Sequence, residues 1–311
     1  MGKIAFLFTG QGSQHPGMGK DVYDQFSIAH DFLNQVNASL DFDLLSLLFE
    51  SDIDTLSLTE NTQPTLVAVQ IMILLALKEQ GLKPDLVAGL SLGEFSALVA
   101  SGAIDSFDVI GLVRKRGEIM SLALPVGETG MAAVMGLDDD ALREICQEVS
   151  PLGAVEIANY NCPMQRVIAG EIDALNRAME IATLKGARKV IPLAVSGAFH
   201  TSLLKNASHE FRKYIDKLQV SEVITPVVFN ETAHSEITCL KQMMMTQMCH
   251  SVRFEESIRY MINEGVDKFV EIGPGKTLSG FVKKVDRTVK TYQVATAEDI
   301  WHVVKELKVN E

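Results

Sequence analysis

One stretch, Gly89-Leu90-Ser91-Leu92-Gly93, constrains this chain more than any other. It lies between Asp85-Leu86-Val87-Ala88, which reads as a buried strand opened by Pro84, and Phe95-Ser96-Ala97-Leu98-Val99-Ala100, which reads as a helix stopping near Gly102. A serine between two glycines at a strand-to-helix junction suits a sharp turn. Side chains at the glycine positions would meet the neighbouring strand or a bound substrate. Such a turn holds the hydroxyl out of the sheet at the positive end of the helix. The same pattern also suits an ordinary helix start whose serine is a cap. The five residues alone do not separate the two.

With 311 residues, 47% of them hydrophobic, the chain can bury a large core as one α/β unit or two domains. No segment has the long uncharged run of a membrane helix. Met1-Gly2-Lys3-Ile4-Ala5-Phe6 enters a strand directly, without a signal-peptide layout or a myristoylation pattern. Four cysteines, at 146, 162, 239 and 249, show no Cys-x-x-Cys pairing. The expectation is a reduced, cytoplasmic protein. A net charge of -12 argues against general nucleic-acid binding. It does not exclude an acidic partner, because docking depends on local patches.

Lys3–Phe8 is a continuous apolar run, the mark of a strand buried on both faces, and it ends in the Gly-rich loop Thr9-Gly10-Gln11-Gly12-Ser13-Gln14. That loop lacks the Gly-Lys-Ser/Thr ending of a phosphate loop and the third glycine of a dinucleotide fingerprint. As the segment after a strand, it is placed to face a site. Residues 21–80 read as helical, with Asn61-Thr62-Gln63-Pro64 opening an apolar helix to about Leu77. In the helix at 106–122, Val109, Leu112, Val113, Ile119 and Met120 share one face, and Arg116 falls in the middle of it. A cation there is expensive unless an anion meets it. Two readings stand: an internal ion pair with a carboxylate, or a cation waiting for an anionic ligand.

From Met131 to Val195 the order is β-α-β-β-α-β, with strands at 131–135, 154–158, 166–169 and 189–195 and helices at 138–149 and 172–185. That is the ferredoxin-like order, read as a compact insert bounded by glycine-rich stretches at 127–130 and 196–198. The chain then passes Ser196-Gly197-Ala198-Phe199-His200-Thr201 into a helix to about Leu218. A strand at Val227-Val228-Phe229-Asn230, helices at 237–248 and 253–264, a strand at 268–272 and one at 291–294 precede a tail helix containing Trp301. A serine nucleophile needs a base, and of seven histidines His200 alone sits in a loop where the chain returns to the larger unit. His15 is a weaker rival. No His/Cys/Asp cluster has metal-ligand spacing, so no metal is expected.

Gly10-Gln11-Gly12-Ser13-Gln14, Gly89-Leu90-Ser91-Leu92-Gly93-Glu94, Arg116-Gly117-Glu118-Ile119-Met120, Gly197-Ala198-Phe199-His200 and Glu271-Ile272-Gly273-Pro274-Gly275 occur in that order. Together they resemble the malonyl-CoA:acyl-carrier-protein transacylase family, which also supplies acyltransferase domains to fatty-acid and polyketide synthases. The resemblance runs from Ile4 to about Lys284. It implies an α/β-hydrolase-like large subdomain over 1–126 and 197–311, with a ferredoxin-like small subdomain over 127–196.

The same resemblance implies site roles. Ser91 is the nucleophile and His200 the general base and acid. The backbone amides of Gln11 and Leu92 form the oxyanion hole. Arg116 clasps the malonyl carboxylate, the backbone carbonyl of Gln247 orients the histidine, and Phe199 sits at an acyl-selectivity position. Two departures stand out: Leu90 where the family usually has histidine, and His250-Ser251 where Asn-Pro is more usual. The implied substrate is a coenzyme A thioester, with no bound cofactor. The partner is a phosphopantetheinylated acyl carrier protein, with no nucleic acid and no membrane, and the enzyme is expected to be a monomer. Lys276, Lys283, Lys284, Arg287 and Lys290, or Lys185, Arg188 and Lys189, read either as a carrier landing patch or as ordinary solvated charges. The rivals are an editing acyl hydrolase acting on carrier-bound thioesters, a generic esterase and a catalytically silent docking module.

Overall fold

The structure is a computed structural model that describes residues 2–124, 127–195, 197–235 and 239–308. Two sheets organise it. The strands in chain order are β1 (Lys3–Phe8), β2 (Leu86–Gly89), β3 (Thr129–Met135), β4 (Val155–Cys162), β5 (Gln165–Glu171), β6 (Lys189–Pro192), β7 (Val227–Val228), β8 (Val266–Ile272) and β9 (Lys290–Val294). The larger sheet has the order β7-β2-β1-β8-β9, with every pairing parallel. The smaller has the order β4-β5-β3-β6, with every pairing antiparallel.

The composition of β1 explains its central place. Ala5 and Leu7 pack into one apolar cluster and Phe6 and Phe8 into another, all fully buried. A strand covered on both faces cannot alternate apolar with polar, so its sequence runs continuously hydrophobic. On the Phe6/Phe8 side lies the helix Thr59–Glu79, in which 17 of 21 residues are buried. A helix apolar all round belongs inside the protein.

That helix opens at Thr59, two residues before the expected Asn61. Pro64 therefore sits inside it, where it cannot donate to the carbonyl of Glu60. The guanidinium of Arg114 donates to that carbonyl instead, at 2.9 Å. The expected strand at 189–195 also ends early, at Pro192, and Leu193 and Val195 beyond it line a cleft. The helix expected over 237–248 spans Leu240–Thr246 and tightens into a 3₁₀ turn at Gln247–Cys249; positions 237 and 238 lie outside the described residues. So do Val126 and Ser196, the ends of two of the expected segments. Among the described residues no helix is long and apolar enough to cross a membrane.

Candidate active site

The carboxyl ends of the parallel strands converge on one region, as open α/β sheets require of a ligand site. Gly10 and Gln11 follow β1, Ser91 follows β2 and Asn230 follows β7. The β2-to-helix turn is as tight as its glycines suggest. A Cβ on Gly93 would stand 2.1 Å from the Phe8 carbonyl oxygen, and one on Gly89 would stand 2.0 Å from the Gly93 carbonyl carbon. Ser91 itself has φ 52°, a left-handed backbone that a side chain rarely adopts. Its N–H donates to Oδ1 of Asn230 at 2.6 Å, and Asn230 Nδ2 donates to the Gly89 carbonyl at 2.6 Å. Asn230 thus ties together both arms of the turn.

His200 arrives from 109 residues further along the chain, with Ser91 Oγ and His200 Nε2 2.6 Å apart. His200 also has a left-handed backbone, φ 62°, and its N–H donates to the Met248 carbonyl at 3.0 Å. On the far side of the ring, Nδ1 faces the carbonyls of Gln247 at 3.0 Å and His250 at 3.2 Å. Two acceptors opposite Nδ1 place the proton there, which leaves the Nε2 lone pair to accept the serine hydroxyl. The Gln247 carbonyl points at His200 where the helix ending at Thr246 gives way to the 3₁₀ turn. Burial, followed by the nearby Arg116 charge, pushes the His200 pKa down to about 4. The imidazole is therefore neutral at rest near pH 7.

Arg116 is fully buried. Among the described residues it makes no salt bridge, so the first of the two readings, an internal ion pair, is not what forms. Its Nη1 donates to Gln63 Oε1 at 2.9 Å and its Nη2 to Gln247 Oε1 at 2.8 Å, while Nε has no partner. The guanidinium also lies 5.3 Å from the centre of the Phe95 ring. Burial lowers its pKa to about 10, so it remains a cation at neutral pH. Gln247 joins this cation to the serine, because its Nε2 donates to the Ser91 carbonyl at 2.7 Å. Gln63 links it to the first loop through a 3.3 Å bond to Gln11 Oε1.

Ser91 and His200 open into a cleft of about 280 Å³ between the two sheets. Gln11, Leu90, Phe199 and Phe281 line it from the larger unit, and Met131, Asn159 and Asn161 from the smaller sheet. Arg116, fully buried, is not among the residues that line it. Among the described residues neither the Gln11 nor the Leu92 amide N–H donates to a protein acceptor. Leu90, the departure at the turn, donates its N–H to the Phe8 carbonyl at 3.0 Å and packs its side chain against the apolar cluster. In the other departure, the His250 carbonyl joins the histidine and Ser251 Oγ donates to the Ile157 carbonyl at 2.7 Å. His15 makes its ring contact with its neighbour's carbonyl, at Pro16, and takes no part in this network.

Four partners were not foreseen from the sequence: Gln63, Asn230, Glu94 and the His250 carbonyl. Asn230 and Gln63 carried a signal. Asn230 ends the strand expected at 227–230, and Gln63 is an amide at the start of a largely apolar helix. Glu94 is buried beneath the turn and accepts from the Asn230 N–H at 2.6 Å.

A glycine-flanked serine turn on a parallel sheet, a histidine against it and a separate antiparallel sheet lining the same cleft are the arrangement that acyl-transfer chemistry through a serine requires. The acyl transferase domain family matches residues 5–305, and the chain belongs to that family. Within it, the chain is 45% identical to the malonyl CoA-acyl carrier protein transacylase of Bacillus subtilis (strain 168), over 99% of this chain and 98% of that one. The crystal structure of malonyl CoA-acyl carrier protein transacylase from Clostridium perfringens superposes with a TM-score of 0.95 at 38% identity, covering 99% of this chain and 98% of that one. A type II PKS acyl-carrier protein in complex with its malonyl-transacylase gives 0.94 at 33% identity, covering 98% and 99%.

Proposed function

We infer that this chain moves a malonyl group from coenzyme A to the phosphopantetheine thiol of an acyl carrier protein through a malonyl ester on Ser91. The observation that carries the reading is Ser91 Oγ 2.6 Å from a neutral His200, with Gln247 linking that pair to a buried cation. Ser91 Oγ attacks the thioester carbonyl as His200 Nε2 takes its proton. The developing oxyanion is met by the Gln11 and Leu92 amides, each such donor being worth about 3–4 kcal/mol in the transition state. The thiolate of coenzyme A leaves with the proton returned from His200, and malonyl-Ser91 remains. The carrier thiol then gives its proton to His200 and attacks the ester, and Ser91 recovers its hydrogen as the thioester forms.

In this reading Arg116 grips the malonyl carboxylate and Phe199 bears on which acyl group fits. The large unit, 1–126 with 197–311, is α/β-hydrolase-like, and the 127–196 insert is ferredoxin-like, a description supported by the strand order β4-β5-β3-β6. The reading needs no bound cofactor, and it includes a cytoplasmic location and a monomeric enzyme. An editing hydrolase would keep Ser91 and His200 but has no use for a buried arginine without a carboxylate partner. The test is incubation of purified protein with radiolabelled malonyl-CoA, then addition of phosphopantetheinylated carrier protein. Label should reside on the wild-type protein, be absent from Ser91→Ala, and pass to the carrier faster than to water. Label on Ser91→Ala, or release to water alone, would overturn the reading.

A further inference from the structure

We propose that Glu94 is a positioning residue for the nucleophile: its carboxyl group fixes Asn230, and Asn230 holds Ser91 in the left-handed conformation that aims Oγ at His200. The inference rests on the transacylase reading for the reaction it serves, but its geometry is independent of any substrate. Glu94 occupies the second residue of the helix Gly93–Ala100, one turn below the serine, and is 1% exposed. Its Oε2 accepts the Asn230 N–H at 2.6 Å. The side chain of Asn230 then spends both its ends on the turn, Oδ1 on the Ser91 N–H and Nδ2 on the Gly89 carbonyl, each at 2.6 Å.

A serine held in the left-handed region is strained and persists only where its surroundings over-determine it. Asn230 supplies that constraint on the N–H side of Ser91, as Gln247 does on its carbonyl, and only Phe229 separates Asn230 from a strand of two residues, Val227–Val228. So short a strand anchors its end weakly; the Arg253 N–H holds the Asn230 carbonyl at 2.8 Å, and Glu94 holds the Asn230 N–H from within the turn's own helix. A buried acid is a costly choice for this task. Burial raises its pKa to about 8, against the lowering effects of the Asn230 N–H and the Arg116 charge, with Glu231 raising it further. At neutral pH the group therefore serves as a hydrogen-bonding carboxylic acid, and its amide isostere should serve nearly as well.

Three variants test this. Glu94→Ala should lower kcat roughly 10²-fold, the loss expected when a reacting atom is displaced by about an ångström, with KM for malonyl-CoA nearly unchanged. The rate at which a small phosphonofluoridate labels Ser91 should fall in parallel, because it reads the aim of Oγ without any malonyl group. Glu94→Gln should restore both rates to within about fivefold of wild type, the acceptor for Asn230 being retained. Asn230→Ala should resemble Glu94→Ala, and the double variant should be no slower than the worse single one, since both act through one chain of contacts. If Glu94→Ala does not fold, Glu94→Asp, a methylene too short to reach the Asn230 N–H, takes its place. A folded Ala or Asp variant with wild-type phosphonylation, or a Gln variant as slow as the Ala variant, overturns the proposal. Wild-type protein that takes no malonyl label sinks the transacylase reading instead, and the phosphonylation rates still decide the role of Glu94.

Discussion

Arg116→Ala should change which acyl group is transferred more than how fast acyl groups are transferred. An arginine has five N–H donors. Two are committed here, to Gln63 and Gln247, so three remain, enough for a two-point grip on a carboxylate. A charge-assisted hydrogen bond contributes about 1.5–3 kcal/mol, and two of them correspond to roughly 10²–10⁴ in rate for malonyl over a neutral acyl group. The substitution also strands two buried amide oxygens, those of Gln63 and Gln247. Because Gln247 supports both Ser91 and His200, that disturbance lowers transfer of every acyl group by a common factor. The ratio of malonyl to acetyl kcat/KM cancels the common factor and isolates the grip. Purified variant and wild type are compared with labelled malonyl-CoA and acetyl-CoA, with carrier protein as acceptor. A ratio that falls by about 10²-fold or more fits the reasoning. Equal loss of both activities refutes it and reduces Arg116 to a structural cation.

The remaining predictions concern proton balance and packing. His200 has a folded pKa of about 4 against an ordinary 6.5, so the unfolded chain binds the extra proton first on acidification. Its contribution to stability is therefore full above about pH 6.5 and lost as pH falls through 4, and the acid limb of kcat/KM should lie near pH 4, well below that of a free imidazole; a limb near 6.5 would contradict the burial argument. Gly93→Ala places a methyl group 2.1 Å from the Phe8 carbonyl oxygen, and backbone on both sides must yield. It should destabilise by about 1–3 kcal/mol or more and cost about 10²-fold in Ser91 labelling; thermal melts and labelling rates like wild type would show that the turn has slack.

Some of this structure was open to sequence reasoning because it follows from local chemistry. The continuous apolar run at Lys3–Phe8, the glycines about Ser91 and the β-α-β-β-α-β order all follow from spacing and steric need, and they matched the strands and helices within a few residues. The start of the Thr59 helix was missed because proline is ordinarily a helix opener, and only Arg114, 50 positions beyond Pro64, makes it tolerable inside. Arg116 could be recognised as a buried cation from its place on the wheel. Its partners could not, because a carboxylate is the obvious counterpart and two uncharged glutamines took that place. Asn230 and Glu94 escaped for a related reason: each is 136 or more positions from the group it holds, a separation at which no periodicity speaks.

The use of amides where charges are expected has a consequence for catalysis. A carboxylate beside Arg116 would neutralise it permanently and leave nothing for an incoming acid, whereas a glutamine oxygen satisfies one N–H and leaves the charge intact. The same choice recurs at His200, whose Nδ1 proton is held by two neutral carbonyls. An aspartate there would stabilise the imidazolium and raise its pKa; neutral acceptors orient the ring while leaving it a weak base that gives its proton back readily. The reaction proposed above runs through one serine twice, first with one thiol leaving and then with another entering, and such a reaction calls for a histidine that takes and returns a proton with equal ease. Gln247 is placed for both ends of that proposed requirement, with its backbone on the histidine and its side chain between the serine and the cation.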